Sequence, residues 1–212
     1  MLIPAVLIVL TLHELSHGLA AYLLGDKTAK AYGRLSLNPL SHIDIIGFLC
    51  MLLAGIGWAK PVPVSPNNFK IKNKKLGMAI TALAGPFANF LVTFLGLLLW
   101  LYLINFQYDS KILMGFADFV LLTSQVSVGL MVFNLIPIPP LDGSKILFMF
   151  LPNNAIQFFY KYENYIRVGF LILLITDALD GIINAGINWV LSGIIPVIID
   201  ILNFFIKVGI IK

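Results

Sequence analysis

The sequence predicts an all-α integral membrane protein, a polytopic helix bundle of about five or six membrane segments with a small β or re-entrant element on the cytoplasmic side. Hydrophobic residues make up 59% of the 212 residues and charged residues only 11%, whereas about a quarter of a soluble domain is charged. The basic residues behind the net charge of +4 lie in short groups beside apolar runs. We therefore expect a lipid bilayer, and no nucleic acid, as partner.

Apolar runs of spanning length define the expected bundle. A hydrocarbon layer of ~30 Å requires about 20 residues of helix, and five runs have that length. A shorter run, residues 43–58, is broken by Asp44 and by glycines, so a tilted, partial or re-entrant segment fits it as well as a full crossing does. We expect a membrane core over residues 1–150 and C-terminal transmembrane helices over residues 151–212. The five long runs are residues 1–24, 76–104, 112–136, 166–183 and 186–206.

Loop charges predict the orientation of these segments. Of the 14 basic residues, all except Lys111 lie in alternate loops or beyond the last run. By the positive-inside rule, five crossings put the N-terminus outside and the C-terminus in the cytoplasm, and residues 43–58 enter and leave on the cytoplasmic side. The simple organisation without sorting signals favours a multi-pass protein of a prokaryotic plasma membrane.

Two polar stretches between the runs predict extended chain. Residues 31–42 alternate in polarity and contain an Asn-Pro break, and residues 60–69 carry prolines at positions 61, 63 and 66. Both patterns are typical of extended edge segments. Such segments do not face lipid, but they can line a groove in which another extended chain adds to an open edge.

The first apolar run carries a metal-binding pattern. His13 and His17 are four residues apart, on one face of a helix, and Glu14 follows the first histidine. Two imidazoles at this spacing can hold one zinc ion, and a glutamate beside the open coordination position can take up and return a proton. A chance match is the simpler alternative, but three ionisable residues in an apolar span are costly unless a metal or a partner compensates them.

Asp142 is the expected third ligand. It follows three prolines, at positions 137, 139 and 140, which end a helix and can turn the chain back toward the interior. A plain helix stop with an Asp-Gly turn is the alternative. His17 and His13 precede Gly25, the end of the first run, by 8 and 12 positions, which puts the metal roughly 12–18 Å below the cytoplasmic surface. Asp142 approaches that same surface.

Together these motifs resemble the site-2 protease family of intramembrane zinc metalloproteases. The similarity rests on His13-Glu14-Leu15-Ser16-His17 and on the segment from Asn134 to Leu141-Asp142-Gly143, and it extends over residues 1 to about 150. It implies a three-helix core, one zinc ion on His13, His17 and Asp142, Glu14 as catalytic acid and base, and transmembrane protein substrates. No insertion is long enough for the accessory peptide-binding or nucleotide-sensing domain of larger members.

The resemblance also suggests accessory residues. Asn89 and Asn134 match positions near the active site, where an amide could hold the substrate backbone or stabilise the oxyanion; hydrogen bonding between helices is the alternative. Gly85 and Pro86 are expected to serve close packing and a kink. His42 is a candidate accessory ligand, although capping of the segment that begins at Ile43, together with Asp44, is the simpler role.

Other functions compete with proteolysis. A membrane metal transporter could use the same ligands, but we find no internal repeat of the kind that transporters show. A catalytically silent binder of transmembrane helices would not need Glu14, which is intact. Two histidines and one carboxylate fit zinc best, and iron or cobalt could occupy the same ligands.

Overall fold

The computed structural model describes residues 1–54, 57, 59–105 and 110–208, with the side chains of residues 48 and 51–54 left aside. Within these ranges the chain is nearly all helical. The α-helices are α1 (Leu2–Leu23), α2 (Thr28–Ala31), α3 (Ile45–Ala54), α4 (Lys74–Asn105), α5 (Lys111–Leu135), α6 (Asp142–Phe148), α7 (Asn153–Lys161), α8 (Glu163–Ile175) and α9 (Asp180–Lys207).

Four of the described helices, α1, α4, α5 and α9, have the length and composition to cross a membrane. The expected run over residues 166–183 does not form one helix. Instead α8 ends after 13 residues, and the chain turns at Asp177, which has a φ of 54°. Thirteen residues extend about 20 Å, short of a ~30 Å hydrocarbon layer. The expected count of five to six segments is therefore not confirmed.

Helix α4 is the centre of the bundle and packs against α1, α5, α6 and α9. Its contact with α5 uses small and hydroxyl-bearing residues. Gly96 lies directly against the hydroxyl of Ser124, and Ser127 Oγ donates a hydrogen bond to the backbone oxygen of Asn89 at 2.9 Å. Small residues let helix backbones approach closely in lipid, where no hydrophobic effect drives helices together.

Helix α9 runs parallel to α4. Its beginning packs beside the loop that follows α5, since Leu179 shares a buried cluster with Leu141. Its far end packs on the distal half of α4, where Leu202 shares a cluster with Leu97. Among the described residues α9 is thus the fourth helix with the length and composition to cross, whereas α8 is too short. The expected orientation, with the N-terminus outside and the C-terminus in the cytoplasm, stays a prediction.

Helix α7 has the character of an interfacial helix. None of its residues is buried. Ile156 and Phe159 lie on one face, and Asn154 and Lys161 lie on the opposite face. A short helix with this division of apolar and polar side chains is typical of the boundary between lipid headgroups and hydrocarbon.

The short apolar run of residues 43–58 enters and leaves at one place. Ile43 and Ala59 form an isolated antiparallel bridge on either side of α3, and Asp44 caps α3 by accepting a hydrogen bond from Gly47 N at 2.8 Å. Residues 55, 56 and 58 of this run lie outside the described residues. The expected β element is not confirmed: this bridge stands outside any strand among the described residues, and the prolines at 61, 63 and 66 have no N–H to extend a ladder.

Residues 59–65, here called the strap, lie against the second half of α1, where Val62 contacts Glu14 and Gly18. Arg34 holds its first half by donating hydrogen bonds to the carbonyls of Lys60 and Pro61. Asp26 holds its second half by accepting a hydrogen bond from Ser65 N at 2.6 Å. Arg34 and Asp26 are both buried, so the strap is fixed at each end.

The Asp26 carboxylate is stabilised in its charged form. Burial alone would raise its pKa, but hydrogen bonds from the Thr28 hydroxyl, the Asn68 amide and the backbone N–H groups of Ser65 and Thr28 outweigh burial and lower the pKa below its ordinary value of 3.8. A carboxylate with a depressed pKa stabilises the fold above the pKa of the unfolded chain. That stability is lost as the pH falls through the folded-state pKa.

We predict that Asp26→Asn lowers the free energy of unfolding by about 2 kcal/mol at pH 7, because charge-assisted hydrogen bonds to the strap are lost. The difference from wild type should shrink as the pH falls below about 4, and SDS titrations in mixed micelles at several pH values measure it. Asp118→Asn, at an exposed carboxylate of α5, is the control. A difference that does not change with pH would contradict this role of Asp26.

Candidate metal centre

Helix α1 brings two imidazoles to one buried position. His13 and His17 are 3% and 7% exposed, and their Nε2 atoms lie 3.0 Å apart. The spacing of four residues accounts for this proximity, because it places both side chains on one face of the helix. In an apolar span, polar atoms at this depth require compensation.

Asp142 reaches the same point from a distant part of the sequence. The proline-containing loop after α5 turns back, and α6 begins with Asp142 packed toward α4. Its Oδ2 lies 3.1 Å from His13 Nε2 and 2.9 Å from His17 Nε2. The three ligands expected from the sequence therefore lie together, although His13 and Asp142 are 129 positions apart in the sequence.

The three atoms fit one metal ion. They lie within 4.8 Å of one another, and all three residues are buried. Zinc binds imidazole nitrogen and carboxylate oxygen at roughly 2.0–2.2 Å, so ligand atoms on a tetrahedron around it stand about 3.3 Å apart. Without an ion, two unprotonated imidazole nitrogens and a carboxylate oxygen this close would repel one another, whereas a cation is attracted to each of them.

Helix α4 packs closely against the rings of His13 and His17, and this close packing requires glycine at position 85. A methyl group at this position would collide with the His17 ring and would stand 2.7 Å from His13 Cε1. A second glycine, Gly143, lets α6 approach the carbonyls of Leu135 and Ile136 just after Asp142. Gly85 and Gly143 are therefore close-approach positions of the metal centre.

The outward-facing atoms of the ligands have partners too. His17 Nδ1 donates a hydrogen bond to the Thr81 carbonyl at 2.7 Å, which leaves Nε2 with the free electron pair that a metal requires. Lys145 Nζ lies 3.0 Å from Asp142 Oδ1. His13 Nδ1 lies 3.1 Å from the Asn89 amide nitrogen.

Glu14 lies beside the ligands in a cavity of about 270 Å³. Its Oε2 accepts a hydrogen bond from Val62 N at 3.0 Å. Pro61 and Pro63 have no N–H, so Val62 carries the one backbone donor of these three strap residues. The strap thus holds one carboxylate oxygen of Glu14, and the cavity also borders His13, His17 and Asp142.

The two asparagines expected near the site, Asn134 and Asn89, lie differently relative to the cavity. Asn134 lines the cavity and donates a hydrogen bond to Leu130 O of its own helix at 3.0 Å. Asn89 is fully buried behind His13 and is not among the described residues that line the cavity. A function of either amide on substrate stays a prediction.

His42 is not part of the metal-ligand group found among the described residues. Its Nε2 lies 2.8 Å from the Ser36 carbonyl, and its side chain borders a second cavity, of about 400 Å³, on another side of α1. Its backbone oxygen accepts a hydrogen bond from Lys60 N at 2.9 Å. The position of His42 favours a role in fixing the strap over one as a metal ligand.

Sequence reasoning missed four contributors to the site: Thr81, Gly85, Lys145 and Val62. Lys145 follows Asp142 by three residues on α6, a spacing that brings helical side chains together, so its contact was accessible from the sequence. Thr81 and Val62 act through backbone groups, which carry no residue-type signal. Gly85 was assigned to helix packing, and only the tertiary structure identifies the imidazoles as its neighbours.

We predict that Gly85→Ala prevents stoichiometric metal binding, because the added methyl group occupies space taken by both imidazole rings. Elemental analysis of the purified protein should give bound zinc well below the wild-type ratio. Gly193→Ala on α9 is the matched control, since a methyl group there meets nothing within 4 Å. Full zinc occupancy in the Gly85 variant would contradict the geometry described above.

Comparisons with known proteins give a family model and two relatives. The model of peptidase family M50 matches residues 104–176, a segment that includes Asn134 and Asp142. The chain is 35% identical over 199 residues to the protein named "Putative zinc metalloprotease YwhC" of Bacillus subtilis (strain 168), covering 90% of this chain and 89% of that relative.

A second relative is more distant. The protein named "Putative zinc metalloprotease Rip2" of Mycolicibacterium smegmatis (strain ATCC 700084 / mc(2)155) is 30% identical over 139 residues, which are 63% of this chain and 51% of that protein. No solved structure matches the chain. The similarity to the Bacillus subtilis protein extends over nearly the whole length of both chains. The chain therefore belongs to peptidase family M50.

Proposed function

We propose that this protein is an intramembrane zinc metalloendopeptidase that hydrolyses peptide bonds in or near transmembrane segments of membrane proteins. One observation carries the proposal: His13, His17 and Asp142 present three ligand atoms within 4.8 Å of one another, and Glu14 borders the same cavity. Two histidines, a carboxylate and a neighbouring glutamate are the parts that metal-assisted peptide hydrolysis requires.

Each residue has a distinct role in this proposal. His13, His17 and Asp142 would hold one zinc ion, which when bound supplies a Lewis acid and lowers the pKa of a coordinated water to about 7. Glu14 accepts the proton of the attacking water on its carboxylate and returns it to the nitrogen of the leaving amine. The hydrogen bond from Val62 N leaves the other oxygen of Glu14 available for this transfer.

The surroundings of the site favour an unwound substrate. The backbone groups of a transmembrane helix are already hydrogen-bonded within the helix, so a scissile bond must leave the helix before attack. The strap offers an extended chain at the cavity, where Val62 and Val64 form one wall. We therefore expect residues that break helices to favour cleavage in a substrate span.

We predict that Glu14→Gln keeps the metal and loses activity. Glu14 is not a ligand, so zinc content should match wild type, while removal of the proton acceptor should lower cleavage of single-span model substrates by roughly 10²–10⁴-fold. His17→Ala should lose both metal and activity. Unchanged cleavage by Glu14→Gln would contradict the mechanism. Zinc bound by wild type without cleavage of any substrate would favour the transport or binding functions.

We further infer that the side of the membrane near α6–α8 is cytoplasmic and that α9 ends outside. With four crossings, the far side carries Lys111 and Lys207, and 11 of the described basic residues lie on the side of the strap and α6–α8. The positive-inside rule assigns this second side to the cytoplasm. The beginning of α1 and the end of α9 then both lie outside.

Accessibility of single cysteines tests this orientation. In a Cys50→Ser background, we predict that a membrane-impermeant maleimide labels Lys207→Cys on intact cells and labels Lys161→Cys only after the membrane is permeabilised. The two positions serve as controls for each other. Labelling of both on intact cells, or protection of Lys207→Cys, would contradict the proposed crossing of α9.

A further inference from the structure

Asn89 has an unusual environment for a buried amide. Its side chain is fully buried and lies behind His13, with Nδ2 at 3.1 Å from His13 Nδ1. Its Oδ1 has no hydrogen-bond partner among the described residues. An unpaired buried acceptor costs about 1–3 kcal/mol, so this arrangement calls for a physical explanation.

The contact between Asn89 and His13 decides the tautomer of the imidazole. If the amide nitrogen donates to Nδ1, the single proton of the neutral imidazole resides on Nε2, which is the atom that faces Asp142 and His17. A metal ligand needs a free electron pair at that atom. The amide orientation with nitrogen toward His13 is therefore incompatible with metal binding through Nε2.

A half-turn of the amide removes the conflict without changing its shape. Oδ1 then lies where Nδ2 was and accepts a hydrogen bond from His13 Nδ1–H, so the electron pair of Nε2 becomes free. The exchange leaves the amide nitrogen with its two N–H groups, in place of the oxygen, without a partner among the described residues. The number of hydrogen bonds is unchanged, and the requirement of the metal at Nε2 decides the orientation.

We propose that Asn89 is a positioning residue that fixes the metal-binding tautomer and the ring orientation of His13 by accepting a hydrogen bond from its Nδ1–H. This inference rests on the proposed function, since it assumes that His13 binds metal. It differs from the expected contact of Asn89 with substrate, because Asn89 lies behind the ligand and not among the described residues lining the cavity.

The position of Asn89 on α4 supports this role. Thr81, Gly85 and Asn89 follow one another at intervals of four, so they form one stripe along the helix face that meets α1. Thr81 accepts from His17 Nδ1 at one end, Gly85 makes room for both rings in the middle, and Asn89 meets His13 Nδ1 at the other end. The stripe thus supplies one acceptor for each imidazole.

Two substitutions, Asn89→Asp and Asn89→Leu, test whether the side chain at position 89 must accept a hydrogen bond from His13 or donate one to it. A carboxylate accepts a hydrogen bond from Nδ1–H but cannot donate one, and leucine can do neither. Zinc affinity is measured by chelator competition on the purified protein in detergent, and the visible spectrum of the Co²⁺-substituted protein reports ligand geometry. Thr93→Val is the matched control, because Thr93 is equally buried one turn further along α4 and contacts Ser124 O.

We expect Asn89→Leu to weaken zinc binding about 10–100-fold, the usual effect of losing the partner of a metal-bound histidine. Asn89→Asp should bind zinc at least as tightly as wild type and keep the wild-type Co²⁺ spectrum. If Asn89→Leu fails to fold, Asn89→Ala takes its place in the comparison with Asn89→Asp. Thr93→Val should retain the wild-type affinity.

Two results would overturn the role of Asn89. Wild-type affinity in the Leu or Ala variant would mean that the amide does not support His13, and equal loss in the Asp and Leu variants would mean that the amide must donate. Absence of metal binding in the wild-type protein would instead refute the proposed function, so the two failures are distinguishable.

Discussion

The cost of placing polar atoms inside a hydrocarbon layer governs this structure. Each expected ligand of the candidate metal centre carries two heteroatoms, and within a hydrocarbon layer neither can rely on water. The inner atoms face one another within the reach of a single cation. The outer atoms are met by the Thr81 carbonyl, the Asn89 amide and the Lys145 ammonium group. Helix α4 supplies two of these three partners, so its close approach at Gly85 is a condition for the site.

A second constraint acts at the membrane surface. The strap is fixed by Arg34 and Asp26, and between these anchors Val62 donates its hydrogen bond to Glu14. The position of Glu14, the proposed general base, therefore depends on hydrogen bonds that Asp26 and Arg34 make with the strap. Both residues lie more than ten positions after Glu14 in the sequence. The same strap forms a wall of the cavity, so a substrate chain that enters there would meet backbone whose position is already set. Such preorganisation lowers the entropic cost of binding an extended segment.

Much of the site was predictable, because metal ligation demands particular residue types at particular spacings. His13, Glu14 and His17 are identified by a helical pattern, and Asp142 by a proline-marked turn. Hydropathy identified α1, α4, α5 and α9, since each is a continuous apolar stretch. It gave the wrong extent for residues 166–183, because an apolar run does not reveal a turn at Asp177. The strap contacts depend on backbone N–H and carbonyl groups, and these are decided by tertiary structure alone.

X-ray absorption at the zinc edge of the purified protein measures the ligand set directly. If His13, His17 and Asp142 hold the metal, the spectrum should show only nitrogen and oxygen neighbours at about 2.0–2.2 Å, with the outer-shell scattering of two imidazole rings. Substitution of His13 or His17 by alanine should abolish stoichiometric zinc. A spectrum with sulfur neighbours or without imidazole scattering, or zinc retained undiminished in those variants, would contradict the assignment of the metal centre.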